Sequence, residues 1–68
     1  MSKVRMNATP AQAADILTRL DTTGPTSKDF EHMGYTFEHF LTYGQLTGKH
    51  LKMAHDRLRP ALEAAVAA

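Results

Sequence analysis

The sequence predicts a mostly α-helical single domain over residues 1–68. A short N-terminal β-strand is followed by three helices, at about residues 10–21, 27–43 and 47–66. Three observations predict this order. Each helix start carries a hydroxyl able to cap it: Thr9 before Pro10, Thr26 with Ser27, and Thr47. Glycine marks the stops, at Gly24-Pro25 and Gly44. Between starts and stops, apolar residues recur at helical spacing.

The strand is the stretch Lys3-Val4-Arg5-Met6-Asn7, which alternates polar and apolar residues. A frayed tail is the other reading of such a short run. The first helix places Ala13, Ile16, Leu17 and Leu20 on one face. The second places Phe30, Met33, Phe37, Phe40 and Leu41 at helical spacing. Gly34 is either an interior glycine of that helix or the end of a shorter one, with Thr36 starting another. The unbroken register favours one helix. The third helix holds Leu51, Ala54, Leu58, Ala61, Leu62 and Ala65 on one face. Pro60 falls inside it, and a kink is expected there.

The chain has 68 residues, of which 43% are hydrophobic, and no cysteine. A chain of this length buries only roughly 60% of its unfolded surface. Disulfides and cysteine-based zinc sites are excluded, so stability must come from regular helix packing or oligomerisation. No stretch approaches the ~20 apolar residues of a membrane span. No apolar run follows Lys3 and Arg5, so a signal peptide is not expected, and the chain reads as cytoplasmic. The net charge of +1 hides an asymmetry. The last twenty residues contain Lys49, Lys52, Arg57 and Arg59 against Asp56 and Glu63.

Chemistry-bearing patterns are sparse. The four histidines form no i,i+4 pair, so the helical metal signature is missing and no metal site is expected. Ser2 and Ser27 sit in no nucleophile elbow, and the glycines form no phosphate-binding loop. Neither an enzyme nor a cofactor is expected. The heaviest feature is the aromatic stripe of the second helix, which suggests packing against a copy of the chain.

The order strand, capped helix, glycine turn, capped helix resembles the ribbon–helix–helix (Arc/MetJ-like) DNA-binding family over residues 2–44. The resemblance implies a homodimer whose paired strands enter the major groove of double-stranded DNA. It implies that Lys3, Arg5 and Asn7 face base edges, for which their donors are suited. Thr26, Ser27 and Lys28 would hold a phosphate at a helix N-terminus. Val4, Met6, Phe30, Met33, Phe37, Phe40 and Leu41 would form the dimer interface. Helix 47–66 is an addition to that fold. The implied function is that of a transcriptional repressor or DNA-organising factor.

Two other readings stand beside it. Residues 37–59 can be read as a helix–turn–helix with 47–58 as recognition helix, presenting Lys49, His50, Lys52, Met53 and Arg57 to DNA. From a different class comes a small helical adaptor or inhibitor that binds a protein partner, with the C-terminal helix available for the contact.

Overall fold

A computed structural model describes residues 6–68, which form four helices: α1 (Pro10–Arg19), α2 (Ser27–His32), α3 (Phe37–Gly44) and α4 (Gly48–Ala67). Helix α1 starts as its sequence dictates. The Thr9 hydroxyl accepts from Gln12 N at 3.2 Å and Gln12 Oε1 accepts from Thr9 N at 2.9 Å, a reciprocal capping box with Pro10 at the first position. Helix α4 runs through Pro60 without a break.

The ribbon–helix–helix expectation is overturned. No strand occurs among the described residues. Met6 and Asn7 are irregular, and Met6 and Ala8 lean on the chain's own core. Lys3, Val4 and Arg5 lie outside the described residues.

The single second helix is also corrected: it is two. Gly34 adopts φ +88°, a left-handed conformation that glycine takes without Cβ penalty. Tyr35 N donates to Phe30 O at 2.9 Å and Gly34 N to Glu31 O at 3.0 Å, the paired bonds of a Schellman stop. Thr36 then starts α3, its hydroxyl accepting from His39 N at 3.3 Å.

The tightly packed helix pairs are α1 with α4 and α2 with α3. The core joins Ala13 and Ile16 of α1, Leu20 at its C-cap, Phe30 of α2, Met33 after it, and Leu58 and Leu62 of α4. The α1 stripe is the one read from sequence. On α4 the expected face is buried at Leu58 and Leu62, whereas Ala61 is exposed. Phe30 anchors the aromatic layer, with ring centroids 5.3, 5.7 and 5.0 Å from Tyr35, Phe40 and Tyr43.

Phe30 and Met33 therefore fill their own chain's core and are not available as a dimer surface. Phe37 and Leu41, at 63% and 50% exposure, do face outward, and Phe40 is half-buried.

Two ion pairs staple the helices. Arg19 donates to both Asp29 oxygens, at 2.8 and 3.1 Å, and to Asp15 at 2.9 Å. Burial opposes ionisation of Asp29, but the Arg19 guanidinium and the Thr26 donors outweigh it and hold the carboxyl below its ordinary range. Arg59 donates to both oxygens of Asp21, at 3.0 and 2.9 Å, joining α4 to the turn after α1.

Candidate interaction cleft

The sequence-expected DNA contacts fall in three places. Asn7 is exposed on irregular chain, and Lys3 and Arg5 are not among the described residues. Thr26, Ser27 and Lys28 are exposed at the start of α2, but the Asp29 carboxylate caps that end itself, accepting from Thr26 N at 2.9 Å. A negative group thus stands where a phosphate was expected. The third set is Lys49, His50, Lys52, Met53 and Arg57, and all five side chains are exposed on α4. Lys49, Met53 and Arg57 form one i, i+4, i+8 row. Lys52 pairs with Asp56 at 3.2 Å, while Lys49 and Arg57 make no ion pair among the described residues.

The connection from α3 to α4 differs from a tight helix–turn–helix. Gly44 is the last residue of α3 and has no positive φ, and the left-handed glycine is Gly48, at φ +53° on the first position of α4. Away from the Tyr43–His55 contact, where ring centroids are 5.8 Å apart, the backbones of α3 and α4 are not closely packed. In a helix–turn–helix the two helices press together. Here an open apolar cleft lies between them.

The inner part of the cleft measures about 230 Å³, with Phe30, Tyr43 and Leu58 at its base and His39 and Thr42 along α3. The outer part, about 180 Å³, adds His50 and Met53. Leu46, Ala54 and Arg57 line both, so the two parts adjoin. No carboxylate lines either part. A larger depression of about 390 Å³ between α2 and α3 is less selective. It mixes Lys28 with Glu31 and has Phe37 as a main apolar element.

One hydrogen bond sets the position of α3 at the back of the cleft. Tyr43 Oη and His55 Nε2 are 2.7 Å apart, and His55 Nδ1 lies 3.8 Å from Asp21 Oδ1. The His55 side chain is 12% exposed. Arg59, through its hydrogen bonds to Asp21, holds that carboxyl below its ordinary range. The three side chains resemble a catalytic relay in outline only. Burial raises the pKa of the Tyr43 phenol, which opposes formation of a phenolate nucleophile or base. The arrangement ties three segments together. Its sequence signal is modest: His55 stands four residues after Leu51 and three before Leu58, inside the apolar stripe of α4.

Among the described residues no group of three or more His, Asp or Glu side chains converges as a metal would require. No described helix is long and apolar enough to cross a membrane. No protein-family model matches the chain, and no curated protein or solved structure is found similar to it.

Proposed function

We propose that the chain is a small protein-interaction module that receives an apolar segment of a partner in the cleft between α3 and α4. The observation that carries this reading is the cleft itself. Two helices that are consecutive in the chain stand apart, and Phe30, Tyr43, Leu46, Ala54 and Leu58 line the space between them. The cleft is open along its length and its two adjoining parts follow α4, a form that suits the side chains of a partner segment better than an enclosed small molecule. Met53, at 44% exposure, extends the apolar surface outward along α4.

DNA binding through α4 is the second reading, favoured by the exposed row of Lys49, His50, Lys52, Met53 and Arg57. Magnitude separates the two. With about three cations facing DNA, affinity should fall with salt on a logarithmic slope of roughly −3, which gives weak binding at physiological salt.

A peptide-display selection against the full chain tests the first reading. The expected result is enrichment of peptides whose binding Ala54→Arg reduces at least about tenfold, as one lost good apolar contact and a blocked cleft would do. Circular dichroism checks that the variant stays folded, and Met53→Glu on the exposed rim gives a second, milder block. No enrichment, or peptides indifferent to both substitutions, overturns the reading. Saturable binding to duplex DNA with the slope above, lost with Lys49→Ala and Arg57→Ala, installs the second one.

A further inference from the structure

Resting on that docking reading, we infer that the segment received by the cleft is an acidic amphipathic helix. Three observations on the same surface lead there. The first concerns backbone. Both walls are helices, and the described residues include no strand edge. A partner therefore cannot add a strand by main-chain hydrogen bonds, and recognition has to run through side chains, as it does when a helix lies in a groove.

The second observation is dimension. The cleft follows α4 from His50 to Leu58. At 1.5 Å per residue that is about 12 Å, or roughly two turns of a partner helix. The apolar floor comes in two adjoining parts, one around Leu46, Met53 and Ala54 and one around Tyr43 and Leu58. Apolar residues spaced i, i+4 and i+7 on one helical face match that length and division.

The third observation is charge. The polar side chains of the lining, apart from its tyrosines, are His39, Thr42, His50 and Arg57, and no carboxylate is among them. Arg57 stands where the two parts meet and has no ion-pair partner among the described residues, and Lys49 continues the row beyond His50. A partner helix seated on the floor brings its flanking positions against this rim. Asp or Glu there completes Arg57 and Lys49, whereas Lys or Arg there is repelled.

Fluorescence anisotropy with the full chain and defined probes tests the inference. The probe is a labelled peptide of about 20 residues, past the length at which isolated helices are marginal, with Leu at i, i+4 and i+7 and Glu at the flanking positions. Two relatives accompany it, one with Lys for every flanking Glu and one with Pro at its centre. The acidic probe is expected to bind saturably and at least about tenfold more tightly than either relative. Arg57→Glu should reverse the order, weakening the acidic probe and strengthening the Lys probe, a reversal that loss of folding cannot produce.

Equal or tighter binding of the Lys probe, or indifference of the acidic probe to Arg57→Glu, overturns the inference. So does undiminished binding of the Pro probe, which would mean an extended ligand. If such probes still lose binding with Ala54→Arg, the docking reading stands and only the partner's chemistry is wrong. If the acidic probe does not bind saturably, the inference falls, and the display selection then decides the docking reading separately.

Discussion

Gly24 lies buried beneath the hydroxyl of Tyr43. A Cβ at position 24 would stand 2.8 Å from Tyr43 Oη, and the backbone there has φ +77°. Two separate costs thus exclude a side chain: left-handed strain and a clash with a hydroxyl that His55 holds in place. Gly24→Ala is expected to destabilise the chain by about 2–3 kcal/mol, and Tyr43→Phe by about 1–2 kcal/mol through the lost bond to His55. Their combination should cost less than the sum. Removing Oη relieves the clash and leaves only the strain. A double-mutant cycle by urea denaturation measures this, and strict additivity would count against the contact.

Asp29 is the other residue whose role is strongly determined. It is 7% exposed and serves at once as capping-box carboxylate and as partner of Arg19. Its pKa is lowered in the folded chain. Its contribution to stability is therefore complete above the ordinary carboxyl value of 3.8 and is lost as pH falls through the depressed folded value. Asp29→Asn should cost roughly 2–4 kcal/mol at neutral pH and should flatten acid unfolding followed by circular dichroism. An unchanged acid transition would assign that transition to other carboxyls.

At the scale of elements, α1 was legible in the sequence because independent signals agreed on it, whereas α4 was legible from its apolar stripe alone, since Thr47 makes no side-chain cap and Pro60 lies inside the helix. Thr9, Pro10 and the stripe from Ala13 to Leu20 specify α1 three times over. The break between α2 and α3 was hidden for a physical reason. Phe30, Met33, Phe37, Phe40 and Leu41 keep helical phase in the sequence across it, although only Phe30, Met33 and Phe40 turn toward the core while Phe37 and Leu41 face outward. Whether Gly34 goes left-handed is decided by tertiary packing, which spacing does not record. The cleft was equally illegible, since it depends on how far α3 diverges from α4. Of its lining, the sequence singled out His50, Met53 and Arg57 as exposed candidates and Phe30, Ala54 and Leu58 as apolar-face residues, without showing that they meet.

Pro60 offers an element-scale prediction. It is exposed, sits inside a continuous helix and removes one backbone donor. Pro60→Ala is expected to raise stability by about 1–3 kcal/mol, measurable as a higher Tm. Unchanged stability would mean that the missing bond is compensated. Helix α3 offers another. None of its residues is fully buried, in contrast to α1 and α4. Its amides should exchange with deuterium faster than those of α1 at Ala13 and Ile16. Equal protection would mean that α3 opens only with the whole chain.

At the scale of the molecule, the described residues divide into a firm half and a suspended one. The α1–α4 pair and Phe30 carry the apolar core, and the Arg19–Asp29 and Arg59–Asp21 pairs fasten the intervening turn. Helix α3 hangs from the Schellman stop at Gly34 and the turn at 45–47, steadied by Phe40 and Tyr43 against Phe30. Both ends of that segment are marked by glycines in left-handed conformation, Gly34 and Gly48.

A wall without a fully buried side chain has a calorimetric consequence. Melting of α3 would contribute little heat of its own and would spread over a wide temperature range ahead of the main transition. A ligand seated between α3 and α4 links the two halves, so it should sharpen the thermogram as well as shift it upward. A shift without sharpening would place the bound molecule on the firm half alone.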